Sequence, residues 1–192
     1  MRPILIFTLS AFSLMQTGCV GAGTTPNTNS VGDGNANGAV VNANQSARES
    51  DAKRQLSLDR LQTAEIDIND ATLTVWVADN ADTRREGLMW VPAEELANDE
   101  GMLFVFPFEQ HLGFWMVNTI TPLDIAYARL DGTIVKIWQM PVATNAVDAI
   151  RTFPSLEPAI FALEMRQGTF ARLGIKEGDI IGVPDDIFKS VQ

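Results

Sequence analysis

Two acids in apolar runs, and one arginine that could pair with them, are the first places to look for chemistry. Arg84 comes three residues before Gly87, Asp124 ends the stretch GFWMVNTITPLD (residues 113–124), and Glu164 lies between Leu163 and Met165 in the run PAIFALEM. A carboxylate pointing inward from such a run must be paired or protonated, because a lone desolvated charge is costly. A buried ion pair of Arg84 with Asp124 or Glu164 is the arrangement these residue types suggest. Asp124 with Glu164, or Glu109 with Glu164, would also make an acid pair of the kind that hydrolyses glycosides, which needs carboxyls roughly 5–10 Å apart.

The 113–124 stretch reads as a strand under period-two alternation, with Phe114, Met116 and Asn118 on one side and Trp115, Val117 and Thr119 on the other. Both sides are apolar until Asn118, so the strand is expected to be buried at its start and to emerge at its polar end. Pro122 sets the turn that follows, and Asp124 can cap that turn, pair with Arg84 or face a ligand. The candidate binding surface is therefore Arg84, His111, Trp115, Asn118 and Asp124.

Other chemistries find little support. The single cysteine, Cys19, stands in the leader, which removes a cysteine nucleophile, a disulfide and a zinc cluster from the folded part. A serine triad has only His111 as base and only Ser155 within the domain, with no GxSxG elbow. His111 with Met89, Met102, Met116 and Met140 offers soft ligands suited to Cu(I), but these methionines are scattered through apolar runs where methionine fills a core. No metal site is expected. There is no Walker loop and no GxGxxG behind a strand, so no nucleotide cofactor is implied.

The leader MRPILIFTLSAFSLMQTGC carries one positive charge, then an apolar run too short to span a bilayer, then small residues up to Cys19. Residues 1–18 read as an export signal that is cleaved. Cys19 resembles the acylated cysteine of a bacterial lipobox, with Gln16 where leucine is usual. Residues 19–63 read as a lipid-anchored tether, because the Asn-, Gly- and Thr-rich segment after Cys19 has no aromatic residue with which to build a core. Val20 after the cysteine resembles outer-membrane sorting, placing the protein in the cell envelope and facing the periplasm. The 192 residues carry a net charge of −10, and loss of the signal removes Arg2 and no acid. A surface this acidic repels phosphate backbones, so nucleic acid is not an expected partner. The expected partners are the membrane, through the lipid, and a small ligand or another envelope protein.

Residues 64–192 must position these groups. Ile66 and Ile68, then Leu73, Val75 and Val77, alternate with polar residues on either side of Asn69-Asp70, which predicts a hairpin. LDIAYARL and TIVKIWQM joined by Asp131-Gly132 predict a second. GMLFVFPF and GFWMV read as two short strands, PAIFALEM and GDIIGVP as two more, and Asn80 and GTFARLGI mark short helices. The expectation is a mostly β fold: a small β-barrel-like domain of about seven or eight short strands and two or three short helices, its sheet curled round MLFVF, FWM and IFALE.

Several of these words occur in an order that resembles the prokaryotic domain-of-unknown-function 192 family. They are Arg84-x-x-GLM, GMLFVF at 101–106, FWMVNT at 114–119, PLDI at 122–125, the Asp-Gly hairpin, LEMRQG at 163–168 and GIKEGD at 174–179. The resemblance spans Leu73 to Val183 and implies a compact, mostly β domain, often exported or membrane-tethered, without an established activity. Val117 stands where the family pattern usually has a lysine, so a role resting on that cation does not carry over. Two readings of function remain: a ligand-binding or interaction module of the cell envelope, or an envelope hydrolase acting on carbohydrate or cell-wall material through paired carboxylates.

Overall fold

The computed structural model describes residues 53–189. The expected export signal, Cys19 and the greater part of the expected tether lie outside the described residues. Among those described, no helix is long and apolar enough to cross a membrane.

The first expected hairpin forms as β1 (Thr63–Ile68) and β2 (Ala71–Ala78), joined by a two-residue turn in which Asn69 takes a positive φ of 54°. Their alternating Ile66, Ile68, Leu73, Val75 and Val77 all enter one core. The second hairpin forms as β4 (Leu123–Ala128) and β5 (Ile134–Met140). All six residues of β4 are buried, because both faces of that strand are covered, which explains its lack of polar alternation.

Two long strands hold the sheet together. β3 runs from Glu100 to Phe114 and β6 from Phe153 to Arg166, paired antiparallel. The first of the two short strands expected at residues 101–108 and 113–117 runs on without a break into the start of the second, with residues 106–109 set opposite the single residue Ile160 as a bulge. Pro107 lies in this bulge, where its missing N–H breaks no ladder bond. Trp115, Met116 and Val117 are not in a strand. The chain turns at Val117-Asn118, with Asn118 at φ 58°, because β4 lies on the far side of β6 and the connection must cross over that strand.

β2 and β3 pair in parallel, which requires a crossover between them. That crossover carries helix α1 (Ala81–Glu86) and a 3₁₀ turn at Ala93–Glu95. The other helices are short: α2 (Ala146–Ala149), α3 (Thr169–Leu173) and α4 (Asp185–Lys189). With β7 (Ile181–Gly182) the strand order is β5-β4-β6-β3-β2-β1-β7, a curled, half-barrel sheet of seven strands. Its edges meet: Thr133 bridges Ile180, Ile134 N–H donates to the Asp179 carbonyl at 2.8 Å, and Ile181 N–H donates to that of Gly132 at 2.9 Å. This stitching protects both edge strands at one end.

The sheet separates two cores. One contains Leu103, Val105, Ala126, Leu163 and Met165 with Phe170 and Ile187. The other contains Met102, Phe104, Ile125 and Tyr127, covered by Leu88, Val91 and Leu96 of the β2–β3 crossover and by Met116 of the β3–β4 connection.

Candidate functional site

The two connections that cover the second core also fasten to each other. Trp90 N–H donates to the Asn118 carbonyl at 2.9 Å and the Thr121 hydroxyl donates to the Val91 carbonyl at 2.7 Å. Between them and the sheet is a narrow cleft lined by Arg84, Gly87, Phe104, Phe114, Trp115 and Glu164 among others, enclosing about 30 Å³. α1 brings Arg84 to it. The helix begins at a capping box in which the Asn80 side chain accepts from Asp82 and Thr83 N–H, and it stops at Gly87, at φ 51°. A Cβ at Gly87 would lie 3.2 Å from the Phe104 ring and 4.0 Å from Glu164 Oε2, so glycine there is what keeps the cleft open.

Glu164 is the group at the bottom of this cleft. It pairs in register with Met102 on one side and Ile125 on the other, and so projects onto the face of the second core. It is only 5 % exposed and makes no hydrogen bond or ion pair with any described residue. Burial alone pushes its carboxyl up to about 8, so at neutral pH it is mostly protonated. The nearby charge of Glu164 is a secondary cause of the raised pKa of Tyr127, after burial.

Arg84 does not supply the missing partner. Its Nη1 donates to the carbonyls of Asp79 and Val105, and its guanidinium lies 5.1 Å from the centre of the Phe106 ring. Burial lowers its pKa, opposed by the charge of Asp79. Asp124 does not meet it either. On β4 it projects to the other face, with Met165 as register partner, and its Oδ2 accepts from Gly168 N–H at 2.9 Å and Phe170 N–H at 3.3 Å. It thus caps α3 from a neighbouring strand, and its Oδ1 is buried without a partner among the described residues. Burial raises its pKa against the opposing pull of the Phe170, Gly168 and Thr169 amides.

The remaining candidates divide. Trp115 is 49 % exposed and forms part of the cleft wall. Asn118 belongs to a wider adjoining depression of about 480 Å³, whose walls share Arg85, Glu86 and Met89 with the cleft and add Lys53, Asp82 and Trp90. His111 is exposed on β3 opposite Pro158, away from both. Arg84, Trp115 and Asn118 are therefore gathered in one region, while His111 and Asp124 are elsewhere. Among the described residues no group of three or more His, Cys, Asp or Glu side chains is arranged to hold a metal ion.

The sequence reading did not find the clasp that steadies this region. Arg54, 8 % exposed, donates to the carbonyls of Gly87 at 3.0 Å and Met89 at 2.6 Å, while the Glu86 carboxylate accepts from the Gln55 and Leu56 amides at 2.6 and 2.8 Å. Arg54 sits in a mixed-charge segment with no apolar period, so nothing local distinguishes it from a solvated surface arginine.

Two solved structures share the fold. One is a proposed transcription regulator from Sinorhizobium meliloti 1021, 32% identical, with a TM-score of 0.56 over 63% of this chain and 93% of that one. The other is a protein of unknown function from Novosphingobium aromaticivorans DSM 12444, 30% identical, with a TM-score of 0.54 over 64% and 86%. No curated protein matches the chain. The profile of DUF192, described as Uncharacterized ACR, matches residues 63–183, more than half of the sequence, and the chain belongs to that family.

Proposed function

We propose that this chain is a ligand-binding module of the cell envelope, held to the membrane by lipid on Cys19, with its binding site in the Glu164 cleft and the depression beside it. The observation that carries this reading is a buried carboxyl with no partner among the described residues, in the lining of an open cleft. A volume of about 480 Å³ beside it falls within the usual range of small-molecule sites. A hydrolase acting through paired acids is the weaker reading. Asp124 and Glu164 leave the sheet on opposite faces, Glu109, in the bulge opposite Ile160, is roughly 13 Å along the sheet from the level of Glu164, and Glu86 is engaged by two amides. A transcription-regulator role, as described for the Sinorhizobium meliloti structure, would bring a chain of net charge −10 to a polyanion.

The site is tested by NMR titration of the ¹⁵N-labelled domain with small cationic, anionic and neutral polar probes. Binding should shift the Gly87 amide and the Trp115 indole signal, and Gly87→Ala, whose new methyl group occupies the cleft, should abolish those shifts. If no probe moves either signal at millimolar concentration, the site is wrong. The anchor is tested separately by mass spectrometry of the full chain expressed in a bacterium with lipoprotein processing. Mature protein beginning at acylated Cys19 is expected, and Cys19→Ser should leave the membrane fraction; an unmodified Cys19 would overturn this part.

A further inference from the structure

The cleft has the chemistry of a cation site. Its walls include the aromatic side chains of Phe104, Phe114 and Trp115, which offer an apolar lining for an alkyl stem. Its inner end is the unpartnered carboxyl of Glu164. The charged groups facing it come from α1: Arg84 is tied to two carbonyls, Glu86 to two amides, and Arg85 lies in the outer wall shared with the depression. β4 contributes Tyr127, whose hydroxyl donates to the Phe153 carbonyl at 2.5 Å, and the neighbours of Glu164 on β3 and β4, Met102 and Ile125, are apolar.

Size narrows the choice. A water needs roughly 10–15 Å³, so a space of about 30 Å³ takes a head of one or two heavy atoms, and a planar guanidinium or a quaternary ammonium is too large. An anion of the same size would meet the Glu164 carboxyl on a chain that is already acidic.

We infer that the Glu164 cleft receives the ammonium head of a primary amine, its alkyl stem against the aromatic walls and the rest of the ligand in the depression beside Trp90 and Asn118. This inference rests on the binding-site reading above. Pairing transfers the Glu164 proton to solvent, leaving an ammonium–carboxylate pair, and no other bond is made or broken. The amine stays protonated throughout, since its own pKa is about 10.

The test titrates the domain with four probes of matched length: n-butylamine, n-butylguanidinium, butyramide and butyrate. The amine alone should shift the Gly87 amide and the Trp115 indole. Its affinity should rise about tenfold per pH unit between pH 6 and 7.5 and level off above pH 8, the signature of one linked proton. Glu164→Gln should weaken binding at least ~10-fold and remove the pH dependence. 1,5-Diaminopentane and Nα-acetyllysine methylamide carry the same head on a free diamine and on a peptide-like body, and the tighter of the two identifies the source. Binding of butyramide or butyrate in the cleft without the amine overturns the ammonium inference and leaves the site standing. Amine binding that ignores pH between 6 and 8 overturns the pairing with Glu164 even if the variant fails to fold, and silence of all four probes overturns both.

Discussion

Asp124 and Glu164 lie one register position apart on the paired strands β4 and β6, yet their carboxyls leave the sheet on opposite faces. Asp124 faces the core that holds Met165 and serves the first amides of α3, while Glu164 faces the core that holds Ile125 and its carboxyl bonds to none of the described residues. The two buried acids therefore have separate roles, and each can be tested alone.

Glu164 should make the folded state lose stability as pH rises. Its folded-state value of about 8 lies above the 4.5 of the free group. Below 4.5 both states hold the proton and the contribution is complete. Between the two values the unfolded chain has released it and the folded chain has not, so stability falls by up to about 1.4 kcal/mol per pH unit and the decline ends above 8. Urea melts of Glu164→Gln should show this slope flattened and the variant overtaking the parent near pH 8; an unchanged slope would place the effect elsewhere. Asp124, also raised, acts with the same sign at lower pH.

Asp124→Ala should cost roughly 1–3 kcal/mol, because the Gly168 and Phe170 amides lose their acceptor. Asp124→Asn keeps one oxygen for those amides and should cost less. Hydrogen exchange resolves the claim: protection at residues 168–170 should drop in the alanine variant while the β3–β6 ladder keeps its own.

Arg54→Ala should release the clasp on the cleft. The buried carbonyl of Gly87 and the half-buried one of Met89 lose a charged donor, a loss of roughly 1.5–3 kcal/mol. The Gln55 and Leu56 amides, which donate to Glu86, should exchange faster, and exchange in β1 and β2 should be unaffected. Faster exchange across the whole sheet would mean that the clasp is part of the global fold.

Gly132 and Gly178 separate backbone strain from collision at the sheet closure. Both take positive φ, 81° and 94°, but a Cβ at Gly132 would lie 2.3 Å from the Ile181 carbonyl oxygen whereas one at Gly178 meets nothing within 4 Å. Gly178→Ala should cost about 1 kcal/mol and Gly132→Ala clearly more, since the Thr133–Ile180 bridge must shift. Equal losses of denaturation midpoint would show that the edges are not held there.

The amino-acid order by itself determined what is local. Period-two alternation on either side of Asn69-Asp70 and Asp131-Gly132 placed both hairpins, because side-chain direction along a strand depends only on the parity of position. The Asn80 cap and the apolar run of β6 were legible for the same reason, as was the oddity of Glu164 within it. Trp115 was misread as a strand residue, since alternation cannot tell that a chain must turn to pass over β6. The parallel pairing of β2 with β3 depends on contacts between segments far apart in sequence, and only the tertiary structure decided it. That pairing sends the crossover with Gly87 over Glu164 and lets Arg54 fasten it, and it turns a buried acid into the end of a cleft.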